Sequence, residues 1–176
     1  MTLRNLSLLF ISLFILAACG GGGGGSTTPP TAGCSPSTTN LCITVVGGKY
    51  VVQNSSSVGV SQKTLTLNAG SYIFDQTDSS NIQSSGGGGY GGGGSVQTHQ
   101  IKFSTTSDGT HNSGSAYTTG VTTSGTPGSN GKTTIVIDAS TPSTLYYYCV
   151  NHTGMGGTIN IVIGNQSEQV EFTETN

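Results

Sequence analysis

The chain has 176 residues, 29 of them glycine and none tryptophan, which is enough for one domain plus non-domain segments at its ends. Only 7% of the residues are charged, the formal net charge is −2, and no run of Lys or Arg occurs. That balance excludes an electrostatic nucleic-acid interface and leaves solubility to Ser, Thr, Asn and Gly, the composition of an all-β extracytoplasmic domain.

Arg4 precedes an apolar run from Leu6 to Ala18 that is broken only by Ser7 and Ser12. The run is too short to span a bilayer and ends in small residues, so 1–18 reads as a signal peptide. Its end, Leu16-Ala17-Ala18-Cys19-Gly20, resembles the lipobox of bacterial lipoproteins. The resemblance implies cleavage before Cys19, a diacylated Cys19 sulfur and an acylated new amino terminus. The alternative is an ordinary secretory signal with an accidental Cys. Residues 19–33 are glycine, then Ser, Thr and Pro, and are expected to form a flexible tether. An anchored tether holds the domain at the cell envelope beside a membrane and not in it. Gly20, in place of the Asp that often marks inner-membrane retention, favours the outer membrane, with the domain facing the periplasm or the surface.

Residues 34–164 are expected to be one all-β domain. No segment has the period of an amphipathic helix. β-Branched or aromatic runs between turn signals predict strands over 41–46, 50–53, 64–68, 71–75, 99–105, 116–121, 133–138, 143–149 and 157–164. Gly47-Gly48, Ala69-Gly70, Ser107-Asp108-Gly109, Pro127-Gly128 and Asn130-Gly131 mark turns. About seven to nine strands at this spacing predict a sandwich or barrel. Residues 84–95, SSGGGGYGGGGS, read as a flexible surface insertion. A phosphate-binding loop there would need a Lys-Ser/Thr pair and a following helix, and neither occurs. Residues 165–176 form a polar, acidic tail.

The chain has four cysteines. Cys19 belongs to the lipid signal. Cys34 and Cys42 stand at the head of the domain in an oxidising compartment and are expected to pair; the alternative is two free thiols. Cys149 is left over, and an odd thiol in an exported protein calls for an explanation. It lies in Tyr146-Tyr147-Tyr148-Cys149-Val150-Asn151-His152-Thr153-Gly154-Met155-Gly156-Gly157. One strand ends at Cys149, the next begins after Met155, and a short loop carries His152. Once Met1 is cleaved, Met155 is the single methionine.

A thiolate, an imidazole and a thioether form a soft N/S donor set. Two His and a Cys with a weak axial Met are the ligands of electron-transfer copper sites. Zinc prefers further Cys or His to a thioether, and iron–sulfur clusters need more thiolates. The second imidazole is expected from His99, which opens the run His99-Gln100-Ile101-Lys102-Phe103 and shares a face with Ile101 and Phe103. His111 sits among Ser, Asp, Gly, Thr and Asn and reads as a solvated loop histidine. The tyrosines before Cys149 read as packing, with Tyr146 and Tyr148 on one face and Tyr147 on the other.

The Cys149–His152–Met155 segment resembles the C-terminal ligand loop of cupredoxins, with the amicyanin-like spacing Cys-x2-His-x2-Met. His99 and Phe103 are similar to the upstream ligand segment, and the resemblance covers roughly residues 45–164. It implies a Greek-key β-sandwich and one copper ion, cycling between Cu(I) and Cu(II), on His99, Cys149, His152 and Met155. Many cupredoxins have Asn after the first His to tie the ligand loops together; Gln100 stands there instead. The expected function is one-electron transfer with a redox partner protein, by a monomer that is not an enzyme: no acid/base pair or nucleophilic arrangement is present. The alternatives are copper scavenging, storage or delivery without electron transfer, and a structural or adhesive module with a vacant site.

Overall fold

The structure is a computed structural model and describes residues 33–83 and 97–164. The signal peptide, Cys19, the tether up to residue 32, the Gly-rich insertion and the tail lie outside the described residues.

The described chain is a two-sheet β-sandwich with two short 3-10 turns. In chain order the strands are β1 Asn40–Val46, β2 Lys49–Asn54, β3 Ser57–Ser61, β4 Leu65–Asn68, β5 Gly70–Asp75, β6 Ile82–Gln83, β7 Gln97–Thr98, β8 Ile101–Ser104, β9 Ala116–Tyr117, β10 Val121–Ser124, β11 Lys132–Ile137, β12 Thr144–Cys149 and β13 Gly157–Val162. One sheet runs β10-β11-β5-β1-β2-β3 and the other β4-β13-β12-β8-β9, while β6 and β7 form a separate ribbon. β1–β5 and β4–β13 are parallel pairs and the remaining pairs are antiparallel.

Alternation sets which face of each strand is buried. Leu65 and Leu67 of β4, Ile135 and Ile137 of β11, and Ile159 and Ile161 of β13 point inward, with exposed or half-buried residues between them. Aromatic rings lock the two sheets together. Phe74 of β5 meets Phe103 of β8 edge-on at 5.0 Å and lies 6.1 Å from Tyr147 of β12. Tyr50 of β2 lies 6.3 Å from Tyr147. Cys34 and Cys42 form the expected disulfide, with Cα atoms 5.9 Å apart.

Each predicted strand overlaps an observed one; the two-residue strands β6 and β7 were not expected, and three further differences stand out. The 116–121 segment is two strands in different sheets, β9 beside β8 and β10 beside β11. Between them Gly120 (φ +68°) turns the chain against the Val136 carbonyl, leaving no room for a Cβ. The edge strand β3 was not expected, because Ser57-Val58-Gly59-Val60-Ser61 buries no face and owes its form to pairing with β2. The strand predicted from residue 99 begins at Ile101. The His99 backbone is satisfied outside the sheet ladder: its N–H donates to the Asn81 carbonyl at 2.8 Å, and its carbonyl accepts side-chain bonds.

Tyr148 also departs from a simple two-faced strand. Tyr147 faces the core, yet Tyr148, which points the other way, is fully buried as well. The 3-10 turn Gly109–Asn112 covers it, with Gly109 against the Tyr148 ring and His111 edge-on to it at 6.2 Å.

Candidate metal centre

Register brings the candidate ligands to one end of the sandwich. Cys149 closes β12 opposite Ile101 of β8, and the Val150 N–H donates to the Gln100 carbonyl at 3.0 Å. His99 therefore stands two residues before the partner of Cys149, on the same face. The chain then loops through His152 to Met155 before β13 begins. A Cβ on Gly156 would run into the Tyr147 carbonyl, so the return from this loop demands glycine.

His99, Cys149 and His152 converge, with one ligand atom from each lying within 4.8 Å of the others. The Cys149 Sγ is 3.8 Å from His99 Nδ1 and 3.5 Å from His152 Nδ1. The imidazole rings lie 4.6 Å apart. Those spans suit one ion bonded to each atom at roughly 2.0–2.3 Å. Met155, 2% exposed, shares the wall of a surface depression with His99 and His152. Cys149 is fully buried and is the only free cysteine among the described residues. The described residues thus contain a His–Cys–His group able to hold a metal ion.

No protein-family model matches the chain, and a search of the curated proteins finds no match. The case for this site therefore rests on its own residues.

A buried polar frame holds His99. The Tyr50 hydroxyl donates to the His99 carbonyl at 2.7 Å, and Gln76 Nε2 donates to the same oxygen. Gln76 Nε2 also reaches Asn81 Oδ1 at 3.0 Å, and Gln76 Oε1 accepts from the Ile101 N–H at 3.0 Å. Asn81 Nδ2 donates to the Ile43 carbonyl at 2.8 Å. Gln76 and Asn81 are completely buried, and bonds of this kind let polar groups occupy a core. Burial, then the neighbouring Cys149, pushes the Tyr50 pKa well up, so its hydroxyl stays protonated and able to donate. None of these three residues was marked by sequence reasoning. The one available signal was the polar Gln76 directly after the strand that ends at Asp75.

Gln100 does not substitute for a loop-tying Asn through its side chain. Its Nε2 turns away from the ligand loop to Thr133 Oγ1 at 2.7 Å. The two ligand segments are tied instead by the Gln100 carbonyl and by Asn151 Nδ2, which donates to the Thr98 carbonyl at 2.7 Å. His111 is exposed and stands outside the His–Cys–His group, in line with expectation. It is nonetheless engaged, since its Nε2 lies 2.9 Å from the Cys149 carbonyl.

Burial, reinforced by the adjacent His152, holds the His99 pKa below the ordinary 6.5. Below that value the unfolded chain takes up a proton more readily than the folded one. The stability linked to His99 is therefore complete above pH 6.5 and is lost as the pH falls from there through the lower pKa of the folded state. The urea midpoint of the metal-free protein is expected to be lower at about pH 5 than at about pH 7.5, and His99→Gln is expected to flatten that difference. An equal fall in the variant would place the titrating group elsewhere.

Proposed function

We propose that this chain binds one copper ion through His99, Cys149, His152 and Met155 and transfers single electrons at the bacterial cell envelope. The observation that carries this reading is the convergence of two imidazole nitrogens and one buried thiol beside the only methionine after Met1. Among the described residues the cluster contains no Asp or Glu, the carboxylates that suit magnesium or calcium. Soft sulfur together with imidazole suits copper, and the thioether argues against zinc. The resemblance of the ligand loop to that of cupredoxins supports the same reading.

Copper in such a site supplies a one-electron Cu(II)/Cu(I) couple. The protein residues supply the rest. Cys149, fully buried, would present its sulfur to the ion. His99 is held through its carbonyl by Tyr50 and Gln76, which limits rearrangement between oxidation states. His152 is half-buried and forms the edge a redox partner protein would approach. A lipid on Cys19 would keep this edge close to a membrane. The reading is one of redox cycling by a monomer, without substrate turnover.

Adding Cu(II) to the full chain is expected to produce an intense visible absorption from thiolate-to-copper charge transfer. His111→Ala is expected to keep that colour, because His111 stands outside the His–Cys–His group and meets Cys149 at its backbone carbonyl. A colourless wild-type protein would sink the copper reading, and a colourless His111→Ala variant would overturn the ligand assignment.

A further inference from the structure

Among the described residues three non-glycine residues have positive φ: Gln62 at 49°, Asp108 at 58° and Ser113 at 58°. Left-handed backbone is sparsely populated by residues with a Cβ and persists where the surroundings enforce it. Here two of the three direct their side chains at the backbone of a single residue, Gly154. Asp108 accepts from the Gly154 N–H through both carboxylate oxygens at 2.9 Å and also accepts from the Thr153 hydroxyl. Gln62 Nε2 donates to the Gly154 carbonyl at 3.0 Å and to the Gly156 carbonyl at 2.8 Å. Lys49 Nζ donates to the Gly154 carbonyl as well. The third residue, Ser113, closes the 3-10 turn that Asp108 opens, its N–H returning to the Gly109 carbonyl.

Gly154 lies two residues after His152 and directly before Met155. The stretch Thr153-Gly154-Met155-Gly156-Gly157 has few side chains with which to hold itself, so its shape must be imposed from outside. Asp108 reaches it from the loop between β8 and β9, in one sheet. Gln62 and Lys49 reach it from the ends of β3 and β2, in the other. Gly154 is therefore gripped on its N–H by one sheet and on its carbonyl by the other.

We propose that Asp108 and Gln62 are positioning residues of the metal centre, a pincer on the Gly154 backbone that sets the placement of His152 and Met155 before the metal arrives. Its effect on a bound ion rests on the copper reading, whereas its effect on the loop does not. Glycine at either position would relieve the backbone and release the grip, so strain and positioning can be separated. Asparagine at 108 tolerates the left-handed region and keeps one acceptor oxygen.

The test compares the full chain with its Asp108→Gly, Gln62→Gly and Asp108→Asn variants, first without metal. Hydrogen exchange of the Gly154 amide is expected to quicken at least about tenfold in Asp108→Gly and to stay within about threefold of wild type in Asp108→Asn. The amide of Ile159, buried in the core of β13, serves as the reference and is expected to hold its rate in every variant. After copper loading, both glycine variants are expected to show a shifted visible spectrum and metal release at least about tenfold faster. Unchanged Gly154 exchange in Asp108→Gly would overturn the proposal. Parallel acceleration at Ile159 would also overturn it, since the contacts would then serve general stability. Should Asp108→Gly fail to fold, Gln62→Gly decides through its spectrum and release rate and Thr153→Ala through Gly154 exchange, with wild-type behaviour in both overturning the pincer. A colourless wild type would defeat the copper reading and leave the metal-free exchange to judge the pincer.

Discussion

Cys149→Ser is expected to abolish the charge-transfer colour and to weaken Cu(I) binding by more than about 100-fold. The exchange of sulfur for oxygen changes little in shape, so the fold is expected to survive. Its effect on the ligand set is large. Cys149 is the only free thiol among the described residues, and its Sγ sits 3.8 Å and 3.5 Å from the two imidazole nitrogens. Serine offers a hard hydroxyl that does not ionise near neutral pH, leaving two imidazoles and a thioether. Competition with a Cu(I) chelator measures the affinity, visible absorption measures the thiolate bond, and circular dichroism monitors the fold. A Cys149→Ser protein that binds copper as wild type does would end the present assignment of the site.

Gln76→Ala is expected to cost about 3 kcal/mol of stability, because it strands buried partners at about 1–3 kcal/mol each. The Ile101 N–H loses its acceptor, while Asn81 Oδ1 and the His99 carbonyl each lose a donor. Tyr50 still serves the His99 carbonyl, which moderates the loss at that atom. The side chain is fully buried, so water reaches the orphaned groups only by entering the space it leaves. Urea unfolding of the metal-free protein measures the cost. Since the same bonds orient His99, the copper-loaded variant is also expected to show a shifted visible spectrum. A loss below about 1 kcal/mol would mean that the network relaxes around the gap and does not frame the site.

Much of this fold could be read from local pattern. Leu65 and Leu67, Ile135 and Ile137, and Ile159 and Ile161 announce inward faces because a strand repeats every two residues. The 116–121 segment misled because a two-residue strand in each sheet looks, in sequence, like one strand of ordinary length. Edge strand β3 was invisible because pairing alone, with no buried face, holds it in place. His99 was expected in a strand beside Ile101, but its release from the ladder depends on Asn81 and Gln76, which arrive from a different sheet connection.

Cys149, His152 and Met155 could be recognised together because they lie within seven consecutive residues, and donor chemistry depends on residue type, which the sequence states outright. Their meeting with His99, 50 residues upstream of Cys149, is a matter of strand register. The frame around them belongs wholly to the tertiary structure. Gln62, Gln76, Asn81, Asp108 and His111 look in sequence like ordinary polar residues of loops and strand ends. Folding gives each a fixed partner, because hydrogen bonds between residues tens of positions apart form only once strand pairing and sheet packing have brought their segments together. The residue types of the candidate ligands are thus a local property of this chain, and their placement is a collective one.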